Sequence, residues 1–279
     1  QVARFDQQAP DASGDVKFKS FEDPVLNKNG ETAFVADLFS GDDVGDSGPD
    51  VSDSNDSGIF SGDSDSLAQV ARAGDSAPGA TGDVKFSSFK DPMLNAAGQT
   101  AFSAGLTGDD VTGSDESGIY REDSDSGTLV QVAREGQEAP NADGIGLTGV
   151  EFDRMSIIAL NEAGQIAFVG DLTGDDVDSD NNRAIYATDR DGKLREIVRK
   201  GDFFDDHPLI DDSHRISRLN FVGGSGRQDG GGSVFNDLGQ LVFSAEFSNS
   251  ENKIVGSGVF VSNAVAIPEP LAVALVAVG

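Results

Sequence analysis

The chain contains no cysteine and no tryptophan in 279 residues, and only two tyrosines, two methionines and two histidines. Without cysteine, disulfides and thiolate metal sites are excluded. That absence fits a reducing cytosol and also many exported bacterial proteins, so it fixes no compartment. Basic side chains are scarce: 20 Lys and Arg stand against 49 Asp and Glu, a formal charge of -29. A field of that sign repels nucleic acid and anionic membranes, and it favours cations and solubility. Long apolar runs are also lacking. The apolar stretch Leu271–Gly279 is less than half of the roughly 20 residues a spanning helix needs, so no membrane span is expected in this chain. There is no signal-peptide pattern at the N-terminus. Helix-period segments are missing before the C-terminus, as are a nucleophile elbow, a P-loop and a dinucleotide-binding glycine fingerprint.

What is present is ordinary core material, with 37% hydrophobic residues and 18 Phe, so the acidity is that of a folded protein with an acidic shell. That material is arranged as a repeat. The stretch LNKNGETAF (Leu26–Phe34) returns as LNAAGQTAF (Leu94–Phe102), LNEAGQIAF (Leu160–Phe168) and FNDLGQLVF (Phe235–Phe243). Its Asn residues, at 27, 95, 161 and 236, are separated by 68, 66 and 75 residues. Each copy is followed by GIF, GIY, AIY or GVF, starting at Gly58, Gly118, Ala184 and Gly258. A third landmark reads QVAR at Gln1, Gln69 and Gln131, and EIVR at Glu196.

Each unit reads as β-strands. Asp15–Phe21 alternates apolar and polar residues, the period of a half-buried strand. Asn-x-x-Gly then supplies a hairpin, with Asn starting the turn and Gly taking positive φ. The return strand carries the motif Phe, GIF or GIY begins a third strand, and QVAR is a fourth. The expected fold is all-β: four repeats of about 65 residues, each a four-stranded antiparallel blade, forming a four-bladed β-propeller. The expected domain covers 1–263, with blades near 5–72, 73–134, 135–199 and 200–263 plus 1–4, followed by an apolar tail over 264–279. An alternative is four independent small β modules, each small for a sandwich without disulfides. The sequence starts inside its own repeat, which reads as a processed or excised N-terminus. The last unit lacks a fourth strand after Gly258–Asn263, and Gln1–Arg4 has the sequence of one. Pairing of the two is expected, in cis to close a ring or in trans to join subunits.

The repeated NxxGxxAF on an acidic chain resembles the bacterial tandem-repeat surface proteins named for that motif. Three copies are intact, and the fourth has Val242 in place of Ala. The C-terminal IPEPLAVALVAVG resembles the start of a PEP-CTERM sorting signal, through Pro268, Glu269 and Pro270, with a short apolar part and no basic cluster. The resemblance implies export and residence outside the cell or on its surface. It implies no established activity.

The Asp-rich loops are the most distinctive polar feature. Gly-Asp-Asp-Val occurs at the same place in three units, so Asp42, Asp43, Asp109, Asp110, Asp175 and Asp176 are the candidate metal ligands. Clustered carboxylates with nearby Gly suit an oxygen-liganded cation, and Ca2+ is the expected ion. The spacing matches neither the EF-hand nor the Gly-rich calcium repeat, and a solvated acidic loop is the plainer reading. Asp205, Asp206, His207, Asp211, Asp212 and His214 form a second cluster that suits a transition metal less well. Among so many carboxylates, spacing identifies no glycosidase pair, and the Asp-box of propeller sialidases ends in a Trp this chain lacks. Gly223–Ser233 is Gly-rich but precedes a hairpin. Arg4, Arg72, Arg134 and Arg199 end the fourth strands and are expected to pair with neighbouring carboxylates. Asn55-Asp56-Ser57 fits a glycosylation sequon, which makes a glycan a candidate attachment.

No catalytic constellation emerges, so the expected function is non-enzymatic: an extracellular or cell-surface structural protein that self-associates into a filament or surface assembly through β-strand and C-terminal tail contacts. The alternative is a monomeric secreted β-propeller that binds a ligand or a partner protein.

Overall fold

The computed structural model describes residues 1–12, 14–40, 51–123, 126–203, 214–221 and 234–265. Every element among them is a strand, and all pairing is antiparallel. Unit one holds β1 (Val16–Phe21), β2 (Val25–Leu26), β3 (Thr32–Ser40), β4 (Ser57–Gly62) and β5 (Ala68–Arg72). Unit two holds β6 (Lys85–Phe89), β7 (Met93–Leu94), β8 (Thr100–Thr107), β9 (Ser117–Glu122) and β10 (Leu129–Arg134). Unit three holds β11 (Glu138–Pro140), β12 (Gly146–Leu160), β13 (Ile166–Gly174), β14 (Arg183–Thr188) and β15 (Leu194–Arg199). Unit four holds β16 (Arg215–Asn220), β17 (Leu241–Ser248) and β18 (Ile254–Ser262).

The sheet of unit one runs β1-β3-β4-β5, with β2 pairing β3, so β1 and β2 together form one interrupted strand and the unit is a four-stranded meander. Unit two repeats it with β6 to β10. In unit three the interrupted strand is the continuous β12, with β11 added outside. Unit four has only β16-β17-β18 among the described residues.

The first strands show how sequence becomes packing. Val16 and Phe18 point inward and are fully buried, while Lys19 is exposed. The next apolar residue, Phe21, comes three positions on rather than two. A β-bulge between Phe18 and Ser20 absorbs the extra residue. The same bulge falls between Phe86 and Ser88, Phe152 and Arg154, and Ile216 and Arg218, and in units two and four it returns the later apolar side chain, Phe89 or Leu219, to the core.

Each sheet is centred on aromatic rings. Phe18 meets Phe60 edge-on with centroids 4.9 Å apart, and Phe86 meets Tyr120 likewise at 4.8 Å. Phe152 and Tyr186 are 5.0 Å apart. Such pairs contribute about 0.5–1.5 kcal/mol each beyond their burial. The motif residues Phe34, Phe102 and Phe168 are buried beside these rings, and Phe243 is buried beside Phe260, as the sequence pattern requires.

Units are joined by a segment following each fourth strand. After β5 the chain bonds to β6 and the residue before it, through Gly74 N to Phe86 O (2.8 Å) and Ala77 N to Val84 O (2.9 Å). Residues 6–9 contact β1 in the same way, with Asp6 N to Phe18 O at 2.9 Å and Ala9 N to Val16 O at 2.8 Å. Gln1–Arg4 therefore occupy the position of a fourth strand. Among the described residues they pair with no strand, and Val2 and Ala3 rest against the core of unit one. The expected pairing with Gly258–Asn263 is not made within the chain. β18 bonds only to β17, and no hydrogen bond, ring contact or shared core cluster joins unit four to unit one among the described residues.

Candidate functional site

The Asn of the repeat motif does two things, and only one follows from turn chemistry. Asn95 Oδ1 accepts from the backbone N–H of Ala97 (3.1 Å) and Gln99 (2.9 Å), which closes the turn. Gly98, at φ +82°, returns its N–H to Asn95 O at 3.1 Å. Asn27, Asn161 and Asn236 build identical turns. The remaining side-chain donor reaches into the next unit. Asn27 Nδ2 donates to Asn95 O (2.9 Å), Asn95 Nδ2 to Asn161 O (3.0 Å) and Asn161 Nδ2 to Asn236 O (2.9 Å). The result is a ladder of three rungs through all four units. Asn27, Asn95 and Asn161 are buried, whereas Asn236 is exposed and donates only to Gln240 Oε1 among the described residues. Contacts beside the ladder reinforce two junctions: Asn29 Nδ2 donates to Ala96 O (2.6 Å), and Ala96 N donates to Glu162 Oε2 (3.1 Å).

The ladder seats an apolar junction. In the third strands, Ile59, Ile119 and Ile185 are 0%, 1% and 0% exposed. Ile59 packs in one core with Val84 and Phe86 of the next unit, Ile119 with residues of unit three, and Ile185 with Ile216 and Phe243 of unit four. The equivalent residue of unit four is Val259, and it is 75% exposed. Its neighbour on the same face, Val261, is 58% exposed. The reciprocal face shows the same contrast. Leu94, Leu160 and Phe235, each preceding a motif Asn, are 2%, 2% and 0% exposed, but Leu26 is 57% exposed. Phe21 is also exposed, where Phe89 and Leu219 are buried and Met155 is partly buried. The two ends of the array therefore present bare the two faces that every interior junction covers.

The arginines ending the fourth strands cap loops rather than converge. Arg72 Nε donates to Asn55 O (2.9 Å) and Arg199 Nε to Asn181 O (2.7 Å). Arg134 bonds Asp115 O and forms an ion pair with Asp115 Oδ2 at 2.7 Å. A direct ion pair with a carboxylate is thus present at Arg134, while Arg72 acts electrostatically on Asp75 and Arg199 on Glu196 and Asp202.

Of the candidate calcium ligands, Asp42 and Asp43 lie outside the described residues. Asp109 and Asp110 follow β8, and Asp175 and Asp176 follow β13, all exposed. Asp110 Oδ2 accepts from Asp83 N at 2.8 Å, so it already ties this loop to the start of the unit. No group of three or more acidic or His side chains stands close enough to hold a metal among the described residues. Asp205, Asp206, His207, Asp211 and Asp212 lie outside the described residues, as do Pro268–Pro270 and Leu271–Gly279. No helix among the described residues is long and apolar enough to cross a membrane.

One acidic centre was not legible in the sequence. Glu196 stands where units one and two have Gln69 and Gln131. It is partly buried and accepts from Tyr186 Oη at 3.4 Å. Burial, with repulsion from Asp202, pushes its carboxyl up to about 7, against the opposing pull of Arg199. Burial likewise raises Asp202. This centre adjoins an open cleft of about 880 Å³ between units three and four, lined by Asp178, Arg199, Asp202 and Arg215 among others.

The molecule is thus an all-β repeat protein whose units are locked by an Asn-to-carbonyl ladder. It belongs to a family of unknown function, DUF7453, whose profile matches residues 1–274. No curated protein matches the chain. Among solved structures it is similar to a protein of unknown function from Dyadobacter fermentans, at 12% identity and a TM-score of 0.26, over 94% of this chain and 97% of that one. It is also similar to MPT-4, a mannose phosphorylase from Leishmania mexicana in complex with phosphate, at 12% identity and a TM-score of 0.23, over 87% of this chain and 67% of that one. Likeness at that level carries no argument about fold or function.

Proposed function

We propose that the protein is a non-enzymatic structural subunit, acting outside the cell or on its surface, that assembles with copies of itself. The observation that carries this reading is Val259: a position buried in three units is bare in the fourth. An open strand edge beside an apolar face favours strand addition. In this reading each sheet serves as a propeller-type blade, the fourth blade is completed by a strand of the residues 1–4 type, and the tail Leu271–Gly279 adds a second contact. The surface location rests on the NxxGxxAF and Pro-Glu-Pro resemblances.

The charge of -29 sets a physical condition on assembly. Copies repel one another at low ionic strength, so salt or a divalent cation should promote association. Calcium among Asp42, Asp43, Asp109, Asp110, Asp175 and Asp176 would serve that purpose. Sedimentation velocity of the 279-residue chain, across concentration and with or without millimolar calcium, tests the reading. Growth of species with concentration supports it. A chain that stays monomeric at high concentration with calcium present sinks it, and the monomeric binding module takes its place. The cleft between units three and four is the feature that favours that second reading.

A further inference from the structure

We infer that the partner is a second copy docked head to tail, with the face of Phe21 and Leu26 of one copy seated on the face of Val259 and Val261 of the next. This inference rests on the structural-assembly reading above and specifies its contact. The three interior junctions supply the template. At each, a third-strand Ile is covered by the apolar face of the following unit, and the residue before the following motif Asn is buried in return. Unit four presents the first half of that contact uncovered, and unit one presents the second half. The halves differ from each other, so the contact is heterologous, and repeating it extends a chain of molecules rather than closing a two-fold dimer.

The ladder continues in the same sense. Asn95 O and Asn161 O each accept one bond from their own turn glycine and one from the Asn of the preceding unit. Asn27 O accepts from Gly30 N, and no preceding Asn bonds to it among the described residues. Among the described residues, Asn236 Nδ2 has no onward acceptor of the kind the other three have. Seating unit one of the next copy on unit four places that donor at that carbonyl, as a fourth rung.

The strand edge has a register to match. In unit one Gly58 pairs Arg72, Ile59 pairs Ala71 and Phe60 pairs Gln69. In unit two Gly118 pairs Arg134, Ile119 pairs Ala133 and Tyr120 pairs Gln131. Transferred to the edge of β18, unpaired among the described residues, the rule pairs Gly258 with Arg4, Val259 with Ala3 and Phe260 with Gln1 of the second copy. A fourth strand always precedes the unit stacked on it, through the segment that follows QVAR. Residues 1–4 and the face of unit one therefore arrive together, as one rigid end.

The test uses two single substitutions at exposed sites, Val259→Lys and Leu26→Lys, in the 279-residue chain, with folding checked by thermal melts. Each blocks one end and leaves the other intact. Alone, each should sediment as a monomer, with association weakened by roughly tenfold or more, as for loss of a central apolar anchor. Mixed one to one, they should form a dimer and stop there, because only one productive contact remains. A dimer formed by Leu26→Lys alone would overturn the head-to-tail contact in favour of a symmetric one. Polymers that persist in both variants would overturn it while leaving the assembly reading intact. A wild-type chain that never associates would overturn both. The register is read separately. The chain has no cysteine, so Ala3→Cys with Val259→Cys should cross-link chains into a ladder on a non-reducing gel. An intrachain bond in a monomer would show closure in cis and refute the inference.

Discussion

Exchanging a ladder Asn for Asp separates the turn from the rung. In Asn95→Asp the acceptor Oδ1 survives, so the bonds from Ala97 N and Gln99 N can remain. The donor becomes an oxygen, which faces Asn161 O at 3.0 Å and Gln99 Oε1 at 2.8 Å. The Gln99 amide can turn its nitrogen toward the new oxygen. The Asn161 carbonyl cannot, because it belongs to the backbone of a different unit. One buried bond is therefore lost and replaced by repulsion, at a site only 1% exposed. Losing one buried partner and burying a carboxylate against a carbonyl costs about 2–4 kcal/mol. The control is Asn236→Asp, which has the same turn but no rung and an exposed side chain. Its cost should stay below about 1 kcal/mol. Urea unfolding of both variants, with midpoints compared at equal slope, measures the difference. Acidification should narrow it, because the introduced carboxyl regains a donor when protonated. If Asn236→Asp proves as costly as Asn95→Asp, the turn accounts for the motif Asn and the ladder contributes nothing to stability.

Four further outcomes are expected. Phe102→Ala, which empties a fully buried site between Phe86 and Tyr120, should cost about 3–5 kcal/mol in denaturant unfolding. Glu196 has a folded pKa raised from 4.5 to about 7, so its contribution is fully present below pH 4.5 and is lost as pH rises through 7. Stability should fall between pH 5 and 8 by up to about 3 kcal/mol more in the parent chain than in Glu196→Gln, and equal pH profiles would refute the assignment. If calcium binds the Asp loops, millimolar calcium should raise the melting temperature above that in excess chelator, and identical melts would count against it. Removing Leu271–Gly279 should leave the melt of the units unchanged but weaken polymerisation, whereas unaltered assembly would show that the tail is not part of the contact.

The strands were legible because their causes are local. Alternation at Val16–Phe18, the Asn-x-x-Gly turns and the recurrence of GIF, GIY and QVAR mark the strands of each unit without reference to distant residues. The bulges leave a mark in the sequence as well: the apolar spacing in VKFKSF is two and then three, which a regular strand cannot place on one face. Glu196 was harder. It reads as one acid among many until it is aligned with Gln69 and Gln131, and only the fold shows Asp202 and Tyr186 beside it.

The ladder and the open ends lie beyond what a repeat can announce about itself. Asn at the first turn position is fully explained by its own backbone, so nothing in the motif signals that its second donor is used elsewhere. Equivalence in sequence also conceals inequality in environment. Ile59, Ile119, Ile185 and Val259 occupy one position of one pattern, and so do Leu26, Leu94, Leu160 and Phe235. Burial of such a residue depends on what stacks beside its unit, which is a property of order along the array. In a stacked array each unit contacts only its neighbours, so the terminal faces differ from the interior ones even when their residues match. Natural arrays usually cover such faces with polar caps. Here unit four keeps Val259 and Val261 and unit one keeps Phe21 and Leu26, the apolar residues of an interior junction. An exposed face of that composition is unfavourable in water and favourable against an apolar complement, and the head-to-tail contact proposed above supplies one.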